Sequence, residues 1–229
     1  CIAAISQEDV SEKYRVASTI DFICGSSRAS WALGGSEGAD KLVRFLDWHD
    51  GIERLGVKGH RLEPDGMKTL MRSPQLEKVR YLDLRYGNLG DEGAKHLAAS
   101  PHLGNVKTLK LRRNKIKSKG GKALAAAKSL ANLDHLGVGY NALGKTNWSA
   151  IANGSLCAKN MTFLDIGYNK VGLPVIEELL TPERSASLRF LNLRQCELDR
   201  NAFFKFAAGL DFPNLELLSL ENSTDWSLD

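Results

Sequence analysis

Four cysteines stand at positions 1, 24, 157 and 196, and none is spaced CxxC or CxH from a partner ligand. That pattern makes neither a zinc site nor a disulfide framework, and reduced thiols in an intracellular protein are the simplest reading. A processed lipoprotein also begins at a cysteine, but nothing after Cys1 supports one. His135 has no serine or cysteine placed to act as its nucleophile. Asp83 and Asp165 fall on one surface but three structural units apart. At roughly 4.8 Å per parallel strand they are about 14 Å from each other, too far for paired-carboxylate hydrolysis. No phosphate-binding loop or metal motif occurs. The sequence therefore points to no catalytic residue, no metal and no cofactor. What does recur is aromatic and basic: Tyr81, Arg85 and Tyr86, then Lys110, Arg112 and Arg113, His135 and Tyr140, Phe163 and Tyr168, Phe190 and Arg194. Aromatic residues and arginine dominate binding hot spots, so this is recognition chemistry.

These residues are positioned by a repeat. The chain of 229 residues contains 34 leucines, and they are periodic. Leu55, Leu82, Leu109, Leu136, Leu164, Leu191 and Leu218 are separated by 27, 27, 27, 28, 27 and 27 residues. Two residues after each anchor come Val57, Leu84, Leu111, Val138, Ile166, Leu193 and Leu220. Five after it come His60, Gly87, Asn114, Asn141, Asn169, Cys196 and Ser223. The unit reads L-x-x-L-x-L-x-x-N/C-x-L. Fifteen after each anchor stand Leu70, Leu97, Leu124, Ile151, Leu179 and Phe206, with apolar or small residues three earlier, which predicts a helix. Gly66, Gly93 and Gly120 are expected to open that helix in three units.

This pattern resembles the ribonuclease-inhibitor-like subfamily of leucine-rich repeats, clearly over about residues 52–229. The resemblance implies an α/β solenoid, or horseshoe, with parallel strands on the concave face and helices on the convex face. It also implies an intracellular protein that binds proteins. Some members activate GTPases through edge loops. No residue here matches that activity, so a regulatory or effector domain of a larger protein stands as the alternative to a non-catalytic recognition module. Independently of the resemblance, one unit cannot bury its strand and helix leucines, and stacked units can. The asparagine column is expected to bond neighbouring loop backbone.

Alternation along each strand turns the anchor and its +2 neighbour inward and the −1, +1 and +3 residues outward. The outward set carries the binding residues, with the +4 column expected beside it. Gly137, Gly139 and Gly167 are expected to leave a shallow pocket floor among the aromatics. His135 is expected to be exposed. The segment 93–133 holds ten Lys or Arg and no Asp or Glu, so the expected partner is another protein with an acidic patch. Lys122 and Lys128 read as a solvated helix face.

Residues 1–19 are read as an N-terminal capping helix, centred on 6–18. Residues 20–51 form a degenerate first repeat with its strand at Ile20–Cys24 and an inserted loop at 25–34. Residues 52–229 are the regular repeats, of which the last is incomplete, favouring a fragment of a longer protein. The net charge of +4 and the interspersed Asp83 and Asp165 argue against a phosphate track for nucleic acid. No stretch has the roughly 18 consecutive apolar residues of a membrane span. The expected location is cytoplasmic, with a secreted effector acting in a host cell as the alternative. Sequons at Asn147, Asn153, Asn160 and Asn222 matter only in a secretory compartment.

Overall fold

A computed structural model of the chain describes residues 19–21, 34–49, 51–154, 156 and 160–220. The proposed helix at 6–18, the inserted loop at 25–34 except for its last residue, and the last residues from 221 lie outside them. Eight three-residue strands pair in sequence order into one parallel sheet: β1 Thr19–Asp21, β2 Arg54–Gly56, β3 Tyr81–Asp83, β4 Thr108–Lys110, β5 His135–Gly137, β6 Phe163–Asp165, β7 Phe190–Asn192 and β8 Leu217–Ser219. The register is that of the leucine anchors. Leu55 pairs with Leu82, Leu82 with Leu109, and so on to Leu191 with Leu218. Ile20 joins the same column opposite Leu55. The first strand thus starts one residue earlier than Ile20–Cys24, of which residues 22–24 lie outside the described residues.

Each crossover carries a helix: α1 Gly35–Trp48, α2 Glu63–Leu70, α3 Gly90–Ala99, α4 Ser118–Ala125, α5 Lys145–Ala152, α6 Leu173–Leu179 with α7 Pro182–Ser187, and α8 Arg200–Ala207. Anchors and helix leucines merge into one continuous core, in which Leu55, Leu70, Leu82, Leu97, Leu109, Leu124 and Leu136 are fully buried. Strands sit about 4.8 Å apart, whereas helices pack at about 8–10 Å. Stacking such units therefore curves the solenoid with the sheet inside.

Gly66, Gly93 and Gly120 do not open their helices, which start at Glu63, Gly90 and Ser118. They lie inside the first turns, where the units touch. A Cβ on Gly120 would meet Asp91 Oδ1 at 2.8 Å and Ala94 Cβ at 3.0 Å. Asp91 fills that gap by accepting the Lys117 and Gly120 N–H groups at 2.7 and 2.9 Å, so α3 supplies the N-terminal cap of α4.

The asparagine column forms the expected ladder. Asn141 donates to the Leu111 and Val138 carbonyls at 3.0 and 2.9 Å. Its Oδ1 accepts the Asn114 and Ile116 amides at 3.1 and 3.0 Å. Asn114 and Asn169 repeat the donation one unit to either side. Cys196 continues it weakly, its thiol 3.5 Å from the Ile166 carbonyl.

Candidate functional site

On the outward face of the sheet the −1 column becomes a ladder of rings. His135 stacks on Phe163 at 3.7 Å and Phe163 on Phe190 at 4.1 Å, with interplanar angles of 7° and 5°. Parallel in-register pairing at strand spacing places these rings face to face. His135 is half-buried rather than exposed, and its Nε2 is sealed from solvent. Burial, helped by the positive charge of Lys110, pushes its pKa down to about 4, so it is a neutral aromatic at ordinary pH. Toward the N-terminal side the same column changes character. The Arg54 guanidinium lies 3.9 Å over the Tyr81 ring, and Lys110 Nζ approaches that ring at 5.0 Å.

The +4 column is held in an unusual backbone. Tyr86, Arg113, Tyr140, Tyr168 and Gln195 all have positive φ, between 54° and 62°. A left-handed conformation costs a non-glycine residue roughly 1–2 kcal/mol. Gly59, the only glycine in the described part of this column, adopts φ 81° without that penalty. The turn is over-determined by the repeats. The amides of Tyr86, Arg113, Tyr140 and Tyr168 donate to the carbonyls of Arg112, Gly139, Gly167 and Arg194 in the following unit. Tyr140 and Tyr168 stack at 3.6 Å, with Arg112 and Arg113 at 4.1 and 4.4 Å from the Tyr140 centroid. Hydrogen bonding with Tyr168 lowers the Tyr140 pKa and raises that of Tyr168. Arg194 sits 6.0 Å from the Tyr168 ring.

The arginines divide into two classes. Arg85 Nε donates to both oxygens of Asp83 at 2.8 and 2.9 Å, and Nη2 closes the fork at 2.5 Å. This contact raises the Arg85 pKa further. Arg112 reaches across two repeats to Asp165 at 3.6 Å. Asp83 and Asp165, expected on the outward surface, are buried there by their neighbours. Burial raises the Asp165 pKa, opposed by the Gly167 amide, Arg112 and Asn192. Arg113, in contrast, is exposed and forms no ion pair among the described residues.

The glycine floor is filled at Gly139 and Gly167, while Gly137 meets only Lys110 Cγ at 3.9 Å. Asp165 occupies the space over Gly139, where a Cβ would come within 3.0 Å of its carboxylate, and Asn192 does the same over Gly167 at 3.1 Å. The open space lies at the turn edge instead. A groove of about 860 Å³ is lined by Lys58, Arg61, Tyr86, Asn88, Arg113, Lys115, Lys117 and Tyr140. Lys58, Tyr86, Arg113 and Tyr140 belong to the +3 and +4 columns. Arg61 and Asn88 were missed because they stand at +6, beyond the left-handed turn, where strand alternation no longer tells direction. The density of basic residues in 93–133 was the available signal for Lys115 and Lys117 alone.

Among the described residues no group of three or more His, Cys, Asp or Glu is placed to hold a metal, and no helix is long and apolar enough to cross a membrane. Burial pushes the Cys196 thiol up to about 12, far from a nucleophile's range. Asn147 is buried and bonded to the Ser118 carbonyl, which leaves it inaccessible to glycosylation.

Comparison with known proteins supports the repeat. Residues 75–98 and 102–125 match the family model described as leucine-rich repeat. No curated protein matches the chain. Solved structures that match include a plant ice-binding protein, 18% identical over 68% of each chain, with a TM-score of 0.30; a likeness that low carries no argument about this protein.

Proposed function

We propose that this leucine-rich repeat solenoid is a non-catalytic protein-recognition module whose partner binds across the sheet's outward, concave face. The repeat length and the alternation of strand with α-helix support the ribonuclease-inhibitor-like form of the fold. The observation that carries the functional reading is the stack of His135, Phe163 and Phe190, an apolar strip of half-buried rings that the core does not use. The left-handed tyrosines support it. Large side chains are kept where glycine would cost less, and strained positions of this kind cluster at functional sites. Tyr81, Tyr86, Tyr140, Tyr168, Phe163 and Phe190 supply anchoring area, while Lys110, Arg113 and Arg194 supply charge toward an acidic partner. A cytoplasmic location belongs to the same reading, supported by the buried thiol of Cys196.

The test is capture of partners from source-cell lysate with mass spectrometry, comparing wild type with Phe163→Ala combined with Tyr140→Ala. Arg112→Glu is a poorer variant, because it would set a second carboxylate against buried Asp165. The expected result is a partner held by the wild type and lost by the double variant, with an unchanged far-ultraviolet circular dichroism spectrum showing that the fold is kept. A partner held equally by both would move the site off this face.

A further inference from the structure

The groove at the turn edge gathers cations from neighbouring repeats. Five cations line it: Lys58, Arg61, Arg113, Lys115 and Lys117. No Asp or Glu stands among its described lining residues, and none of the five cations forms an ion pair among the described residues. Arg85 and Arg112, by contrast, are each held by a carboxylate.

Its dimensions bound the occupant. Ligand pockets run about 300–1,000 Å³. The 860 Å³ of this groove leaves a lone inorganic ion loosely held and does not admit a folded domain. Lys58, Tyr86, Arg113 and Tyr140 stand on four consecutive repeats. At about 4.8 Å per strand they span about 14 Å, the length of roughly four extended residues.

The ring faces bound the chemistry. Single-stranded nucleic acid binds by stacking bases on open aromatic faces. Tyr140 is covered by Tyr168 on one face and by the two guanidinium groups on the other. Only Tyr86 has an open ring, with Lys58 and Arg113 at 5.9 and 5.7 Å from its centroid. That arrangement suits anions better than bases. Four residues of peptide bring −4 against the five cations with ordinary side chains, and only if every one is acidic. Two phosphorylated residues in the same length bring about −3 to −4, with three strong acceptor oxygens on each phosphate, and the fork of Arg113 matches phosphate geometry bidentately.

We propose that the groove binds a short, doubly phosphorylated segment of the partner protein, one phosphate on Arg113, Lys115 and Lys117 and the other on Lys58 and Arg61. This rests on the reading of the concave face as a protein-recognition surface.

Fluorescence anisotropy tests it directly, using a labelled octapeptide of glycine and alanine with two phosphoserines three residues apart. The full chain is expected to bind this peptide at least tenfold tighter than its unphosphorylated form and tenfold tighter than a version with glutamate in both places. Arg113→Gln with Lys115→Gln is expected to weaken it at least tenfold. Both side chains are exposed, so an unchanged circular dichroism spectrum and melting temperature show that the fold is kept. Phe163→Ala is expected to leave peptide affinity unchanged while weakening partner capture. Equal binding of the glutamate peptide overturns the proposal, as does indifference to the double variant or no binding at millimolar peptide. Tighter binding of a twelve-nucleotide oligothymidine overturns it in favour of nucleic acid. A peptide failure with Phe163-dependent capture intact removes the groove's role and leaves the recognition reading standing.

Discussion

The ring strip of β5–β7 and the basic groove beside β2–β5 share one sheet surface, yet they treat charge in opposite ways. Around the strip, charge is cancelled from within. Asp165 sits over Gly139, accepts from Asn192 at 2.8 Å and holds Arg112, so the strip presents neutral rings. In the groove Arg113, Lys115 and Lys117 form no ion pair among the described residues. The difference comes from a single column of the repeat. The +1 position is Asp83 and Asp165 where an arginine is neutralised, Lys110 in the repeat of the groove's densest charge, and Gly137 in the next. A carboxylate in that column holds an arginine of its own repeat, as Asp83 holds Arg85, or one two repeats away, as Asp165 holds Arg112 while Arg113 beside it stays exposed.

Three perturbations separate the two regions. The largest is Leu164→Ala, which removes core beneath Phe163 and should cost about 2–5 kcal/mol. Thermal unfolding should show a melting temperature lower by at least about 4 °C, with β5–β7 loosened more than β2–β4 in hydrogen exchange. A melting temperature within a degree of wild type would contradict the register.

Acid provides the second. His135 is neutral in the fold with a pKa near 4, against 6.5 when unperturbed. The unfolded chain therefore binds more protons between those values, and stability falls as pH drops from 6.5 toward 4. With screening at a half-buried ring discounted, the loss is about 1–2 kcal/mol. His135→Phe should flatten that part of a pH series of chemical denaturations while leaving phosphopeptide binding at neutral pH as it was. Above its ordinary value the raised pKa of Asp165 works in the opposite sense, lowering stability as pH rises through its own range. Asp165→Asn separates the two contributions.

That same Asp165→Asn change is the smallest perturbation of binding and the one that sharpens the contrast most. It should free Arg112 from its ion pair and tighten phosphopeptide binding a few-fold, with a steeper salt dependence. Anisotropy across a salt series reads this, and an unchanged slope would show that Arg112 never belonged to the groove's field.

The sequence made the scaffold legible because the scaffold is periodic. Leucine anchors repeated at a fixed interval leave one in-register stacking, and Asn114, Asn141 and Asn169 bond as their column implies. The outward columns also fell where alternation puts them. What escaped depends on contacts between columns. Gly139 and Gly167 look like open floor until Asp165 and Asn192 fold over them. Asp83 looks like a surface charge until the turn brings Arg85 back onto it. Gly120 looks like a helix start until Asp91 of the previous unit is seen against it. Arg61 gave no signal because it follows a left-handed turn, past which the period of two carries no information.

The central claim is that a partner protein seats on the ring strip. A photo-reactive phenylalanine analogue at position 163, compared with the same analogue at position 122 on α4, tests it most directly when each protein is irradiated in source-cell lysate. A discrete covalent adduct is expected from position 163 and none from position 122. An adduct from position 122 alone would contradict it and place recognition on the helices.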